Sequence, residues 1–254
     1  MSYFSSLLVS PLPSEATSAQ QKSYVTYTLS SLASSSQDAP TISLLEARNL
    51  VAASGTTGLR TWEASLHLGE YLCAQAESLV KAKSILELGA GTGYISVLCA
   101  RHLGASHVIA TDGSEDVVDS LSTNFFLSGF QDTSIIEGKE LKWGHALMGG
   151  EDAQWNLGRH LDLVLGADLT YDGSAIAALV STFGDLFDLY RNVKILIAAT
   201  VRNPTTFESF VEVCRMNKYA VEQINFGIKP AELQQGPFYS DRVPIQLCLI
   251  TRSQ

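Results

Sequence analysis

The strongest constraint on this chain is an alternation. From residue 84 onward, short apolar runs that read as strands trade places with segments of helical apolar spacing. Strands are expected at 84–88, at 107–111 ending on Asp112, weakly at 134–137, strongly at 161–167, and at 194–200. The intervening helices carry their own stop and start signals: Gly104 and Gly129 just past two ends, and Ser114, Asp172 and Asn203 as N-caps, the last followed by Pro204 at the first helical position. Only a parallel sheet with crossover helices absorbs such a pattern. Two final strands, 219–226 and 244–250, are separated by a polar stretch with Gly and Pro instead of a helix. The last strand is therefore expected to run antiparallel at or next to a sheet edge. The expected fold is α/β: seven strands, mostly parallel, an antiparallel last strand, and helices on both faces.

The front of the chain reads differently. Residues 26–40 have a Ser-rich middle suited to a flexible connector, and 20–29 and 42–53 each suit a short helix. Then Gly55-Thr56-Thr57-Gly58 reads as a turn, and Thr61 as the cap of a helix beginning at Trp62, with an apolar stripe to Val80. The expected division is a short N-terminal extension over 1–54, partly helical or flexible, and one domain over 55–254.

Composition removes several function classes. At 46% hydrophobic and 17% charged residues the chain can bury a substantial core. A net charge of −9 is a poor basis for gripping phosphate backbones. The four cysteines form no C-x-x-C pair, which suggests reduced core thiols in a cytoplasmic protein. No apolar run has the ~18–20 residues of a membrane span, and residues 1–13 lack the basic region of a secretory signal. The five histidines show no H-E-x-x-H spacing, so no metal is expected, and there is no G-x-S-x-G elbow.

The first strand of the alternation runs into Glu87-Leu88-Gly89-Ala90-Gly91-Thr92-Gly93 and then a helix, the setting of a nucleotide-binding loop. Its spacing is G-x-G-x-G, whereas a dinucleotide fingerprint places the third Gly one residue later. Glu87, just before the first Gly, would repel a diphosphate. It suits S-adenosylmethionine, which has no phosphate but carries a sulfonium and an α-ammonium. Asp112, nineteen residues beyond Gly93 at a strand end, is placed to accept ribose hydroxyls. That supports an adenosine without choosing between cofactors, and a NAD dehydrogenase remains the weaker alternative for the loop alone.

Four segments taken together resemble the seven-β-strand protein-lysine methyltransferases: residues 57–64, the glycine loop, Lys142-Trp143-Gly144, and Ala167-Asp168-Leu169-Thr170-Tyr171. The marker of that group is D-x-x-Y after the fourth strand, here Asp168 to Tyr171. Gly55-Thr56-Thr57-Gly58-Leu59 together with Thr200-Val201-Arg202-Asn203-Pro204 is similar to the branch that methylates a lysine of eukaryotic elongation factor 2. Members of that branch usually carry a longer N-terminal extension. The resemblance implies a Rossmann-like sheet, S-adenosylmethionine as cofactor, and residues 55–254 as the methyltransferase domain. The implied partner is a protein substrate, elongation factor 2, met by a cytoplasmic monomer, with neither membrane nor nucleic acid as direct partner.

It also implies roles. Asp168 would attract the incoming lysine ammonium and hold the amine; Tyr171 would hydrogen-bond to it or wall the channel, its ring favouring the methylated ammonium. Trp143 would lie beside the adenine, Trp62 would close the methionine end, and small Ala167 would admit the cofactor to the backbone. With Glu87, Gly89, Ala90, Gly91 and Asp112 these complete the expected cofactor set. Either tryptophan could instead be core packing. Asn124, on the helix after Asp112, could bond the glycine loop and is given no role. Enzymes acting on planar exocyclic amines typically carry Pro-Pro between the acidic or amide residue and the aromatic one, and here the pair is Leu-Thr, which favours protein over nucleic acid. The loop 227–243, with Lys229, Phe238, Tyr239 and Arg242, could touch substrate or be an ordinary connection. A methyltransferase of this fold acting on another protein, a nucleic acid or a small molecule, or a cofactor-binding module without turnover, are the alternatives.

Overall fold

The computed structural model describes residues 21–34, 38–47, 57–131, 135–145, 147 and 158–252. The proposed domain boundary at 54/55 and the Gly55-Thr56 half of the turn lie outside the described residues.

Seven strands form one sheet: β3 (Ser84–Leu88), β4 (His107–Asp112), β5 (Ile136–Glu140), β6 (Leu163–Ala167), β7 (Lys194–Thr200), β8 (Tyr219–Ile224) and β9 (Ile245–Arg252). Their spatial order is β5-β4-β3-β6-β7-β9-β8. The first five are mutually parallel, and β9 is antiparallel to both β7 and β8, one place in from the edge. The expected terminal pair is thus present, with the last strand inserted beside the edge. The weak third strand begins two residues later than expected, at Ile136; residues 132–134 lie outside the described set. As an edge strand it buries little beyond Ile136, which is why its sequence carries so faint a signal.

The helices are α1 (Glu63–Ala74), α2 (Ala76–Leu79), α3 (Tyr94–Arg101), α4 (Glu115–Leu127), α5 (Gly173–Leu189) and α6 (Pro204–Met216). Two apolar clusters show that both sheet faces are covered. One joins Leu66, Leu72, Tyr94 and Ile95 to Ile85, Val108, Leu165 and Leu247. The other joins Phe183, Leu186 and Phe210 to Leu86, Ile109, Val164 and Ile197. Asp172 and Asn203 cap α5 and α6, accepting from Ser174 N at 2.9 Å and Thr205 N at 3.0 Å. No helix among the described residues is long and apolar enough to cross a membrane.

The two short helices expected in the extension are replaced by an antiparallel hairpin, β1 (Ser23–Thr28) and β2 (Thr41–Glu46), with Val25 opposite Leu44 and Tyr27 opposite Ile42. The physical reason is period. In β2, Ile42, Leu44 and Glu46 are buried on alternate positions, which a helix would scatter around its axis. Residues 48–53 of the second expected helix lie outside the described set. The hairpin belongs to the main core: Tyr27 meets Tyr94 edge-on with ring centroids 5.2 Å apart.

Register then sets the site. Leu88 pairs with Thr111 on one side and Gly166 on the other. The carboxyl ends of β3, β4 and β6 therefore sit side by side where the strand order reverses, the place where open α/β sheets bind ligands.

Candidate active site

The loop after β3 needs left-handed backbone at Gly89 (φ 62°), Gly91 (φ 54°) and Gly93 (φ 81°). Gly91 has a second reason to lack a side chain, since an added Cβ would lie 3.3 Å from the carbonyl oxygen of Gly58. That contact fastens the loop to the segment leading into α1. Ala90 N donates to Thr111 O at 2.8 Å, tying the loop to β4 as well.

Glu87 departs from its expected place. Its side chain is buried beneath the loop and does not line the cavity. Its carboxyl accepts from Ser96 N at 2.9 Å and from Ser96 Oγ. Burial pushes its pKa up to about 8, against the lowering effect of those bonds. One backbone N–H in the first turn of α3, that of Ser96, is thus served from within the protein. Glu87, expected beside the cofactor, therefore acts on the helix terminus instead.

A second buried carboxylate supports the loop from the hairpin. Glu46 accepts from Tyr27 Oη at 3.0 Å and Thr61 Oγ1 at 2.6 Å, and Thr61 Oγ1 lies 2.6 Å from Thr92 Oγ1. Thr61 thus spends its side chain on this chain of contacts and not on capping; Trp62 occupies the cap position of α1 without a side-chain bond. Asn124 closes the other side, donating to Thr92 O at 2.9 Å while accepting from Leu45 N at 2.8 Å.

A cavity of about 640 Å³ opens on this loop, a volume typical of small-molecule sites. Gly89, Ala90, Gly91, Asp112, Trp62, Trp143, Ala167, Asp168 and Tyr171 all line it. The structure therefore brings together every expected site residue except Glu87. Asp112 accepts from Gly91 N at 3.2 Å and Ser114 N at 3.1 Å. Burial raises its pKa, with those backbone bonds opposing. Trp143 faces the loop, 3.5 Å from where a Gly89 Cβ would stand, and the next residue anchors it: Gly144 N donates to Thr182 Oγ1 of α5 at 3.0 Å. Trp62 donates from Nε1 to Thr57 O at 2.9 Å, and the guanidinium of Arg60 lies 4.5 Å from its ring centroid.

At the far end stands Asp168, directly after β6. It holds φ 55°, a left-handed conformation unusual for a residue with a side chain. Three bonds hold it there: Thr200 N to Oδ1 at 2.9 Å, Thr200 Oγ1 to Oδ2 at 3.0 Å, and Arg202 Nη2 to Oδ2 at 3.2 Å. The Leu169 side chain packs against both Gly166 and Gly89, where a Cβ would stand 2.5 Å away. Tyr171 is 59% exposed, with its hydroxyl 3.5 Å from Thr57 Oγ1. In the sequence Thr200 and Arg202 stand out only as part of a resembling segment, and their contact with Asp168 spans more than thirty residues. Glu46 carries no such mark in the sequence, Thr61 is marked there as a helix cap within a resembling segment and Thr92 only as a member of the glycine loop.

The loop 227–243 contributes no described residue to the cavity lining. It is pinned to α1 instead: the Tyr239 hydroxyl donates to Glu70 and lies 3.0 Å from His67 Nδ1, and Lys229 Nζ stands 3.5 Å from Glu70. Burial lowers the His67 pKa, outweighing its bond to the Phe226 carbonyl.

Sheet order and cavity together define a Rossmann-like methyltransferase fold. The methyltransferase domain of a bacterial Hen1 matches it with TM-score 0.52 at 15% identity, over 73% of this chain and 97% of that one. A lysine methyltransferase family model matches residues 44–215, and the chain belongs to that family. It is 52% identical to protein-lysine N-methyltransferase EFM3 of Chaetomium thermophilum, over 99% of this chain and 74% of that protein. It is 29% identical to human protein-lysine N-methyltransferase EEF2KMT, over 61% of this chain and 49% of that protein. The methyl donor of such an enzyme is S-adenosylmethionine. The cavity fits it in size and in the carboxylate at the end of β4.

Proposed function

We propose that this protein-lysine N-methyltransferase modifies a lysine of elongation factor 2 in the cytoplasm, with Asp168 and Tyr171 at the lysine end of its cavity. The observation that carries the reading is that one cavity joins the glycine loop and Asp112 to Asp168 and Tyr171. The name of the human relative and the resembling segment at Thr200 to Pro204 support the substrate assignment.

S-adenosylmethionine supplies an electrophilic methyl group on a sulfonium. On this reading Asp112 receives the ribose hydroxyls, Trp143 lies along the adenine, and Trp62 closes the methionine end. Gly89, Ala90, Gly91 and Ala167 let the backbone come close. The lysine arrives protonated, since a free side chain has a pKa of about 10.4. Its proton passes to water. The amine lone pair then forms the C–N bond as the S–C bond breaks, with that electron pair staying on sulfur. Orientation of the amine is the main contribution required of the protein. Asp168, locked by three bonds, holds the amine, and Tyr171 walls the entrance.

Radiolabelled S-adenosylmethionine added with this protein to an extract of cells lacking the enzyme should label one band, identified as elongation factor 2 by mass spectrometry. Labelling confined to another protein would reject the substrate, and labelling only of RNase-sensitive material would reject the class.

A further inference from the structure

We infer that Arg202 keeps the bound substrate lysine in its neutral, nucleophilic form by setting the charge balance at the Asp168 end of the cavity. The inference rests on the reading of Asp168 as the carboxylate that faces the lysine. That reading contains a difficulty, which Arg202 resolves. A carboxylate alone in a half-buried channel favours the ammonium of an approaching lysine, raising its pKa and holding it in the unreactive form.

Asp168 is not alone. Its side chain is 8% exposed, and its Oδ2 lies 3.2 Å from Arg202 Nη2. A guanidinium remains charged throughout the working pH range. The same nitrogen lies 3.7 Å from Glu63 Oε2, at the start of α1, and the guanidinium carbon is 5.4 Å from the Trp62 ring centroid. Arg202 therefore spans from the segment after β7 to α1, over the aromatic ring that lines the cavity. It is a positioning residue, acting through Asp168.

The charged and titratable groups facing this end can be counted by element. Asp168 and Tyr171 come from the loop after β6, Arg60 from the segment before α1, Glu63 from the first turn of α1, and Arg202 from the segment after β7. Asp112 and Lys142 belong to the cofactor end, where Lys142 pairs with Glu140 at 2.6 Å. With Arg60 paired to Glu63 at 3.5 Å, two carboxylates meet two guanidiniums around Asp168 and Trp62. An ammonium entering a balanced set makes it net positive and is driven to release its proton to water. Without Arg202 the set is net negative, and the proton is retained.

The test is the pH dependence of the single-turnover methyl-transfer rate, with elongation factor 2 from cells lacking the enzyme as substrate. Arg202→Met should move the rising limb to higher pH by about one unit. Arg202→Lys should stay close to the parent, and Glu63→Gln should move the limb the opposite way. Opposite shifts from two neighbouring substitutions are not what loss of local structure produces. Should Arg202→Met fail to fold, judged by melting and by S-adenosylhomocysteine titration, the Glu63→Gln and Arg202→Lys profiles still decide. A rate lowered equally at every pH, with the midpoint unmoved in each variant, overturns the inference. Asp168→Asn separates the two levels: if it keeps the full rate, the lysine-facing role of Asp168 is wrong, whereas a lost rate with unmoved midpoints overturns only the role of Arg202.

Discussion

At the glycine-loop end of the cavity, backbone groups are held by side chains that water does not reach. Glu87 is 2% exposed and Glu46 1%, and both spend their oxygens on neighbouring N–H and O–H groups. At the Asp168 end the holding groups are charged and partly wet: Arg202 is 43% exposed and Glu63 27%. The first arrangement suits a ligand of constant shape, since buried and satisfied polar contacts fix one conformation. The second surrounds a guest that arrives charged and must lose its charge with ion pairs that water partly reaches. The contrast implies that substitutions at one end change cofactor affinity or stability, while those at the other change transfer with binding preserved.

The largest effect is expected at the wet end. Asp168→Ala should lower the transfer rate by about 100-fold or more while S-adenosylhomocysteine affinity, read by calorimetry, changes by less than about threefold. A matching loss of affinity would erase the distinction between the ends. Next comes Glu46→Ala at the dry end, which removes the carboxylate that Tyr27 and Thr61 both donate to and so loosens the contact of Thr61 with Thr92. It should cost about 1–3 kcal/mol of stability and weaken cofactor binding, with the rate at saturating cofactor little changed. Chemical denaturation with a cofactor titration reads both.

These two sites also differ in how far the sequence reveals them. The β3–loop–α3 unit is local: strand, glycines and helix adjoin in the chain, so Gly89, Ala90, Gly91 and Asp112 are legible from spacing alone. Asp168 and Tyr171 are legible through a short motif. Thr200 and Arg202 are visible as letters but not as partners of Asp168, because only the pairing of β6 with β7 brings them to it. The hairpin is misread as helix because its alternation is short and its partner strand lies beyond a Ser-rich stretch. Glu87 is placed correctly on its strand yet turned away from the cavity, since side-chain direction at a strand end depends on what packs beneath.

Glu87 gives a smaller effect, in stability. Its pKa near 8 lies well above an ordinary glutamate, so the folded state holds a proton that the unfolded chain has released. The stability this contributes is complete below about pH 4.5 and is lost as pH rises through about 8. Glu87→Gln lacks the proton to lose. Its melting temperature relative to the parent should therefore climb by a few degrees between pH 5 and pH 8.5; a constant difference would contradict the buried, protonated state. The smallest effect is expected from Tyr171→Phe, which keeps the ring and removes a hydroxyl whose contact with Thr57 is long at 3.5 Å. The transfer rate should fall by no more than about threefold, and a much larger loss would give that hydroxyl a direct part in the chemistry.

The most direct measurement is a crystal structure of the protein with S-adenosylhomocysteine. The adenine should lie along Trp143, the ribose on Asp112, and the sulfur should face Asp168 and Tyr171. A ligand bound outside this cavity, or a sulfur facing away from Asp168, would contradict it.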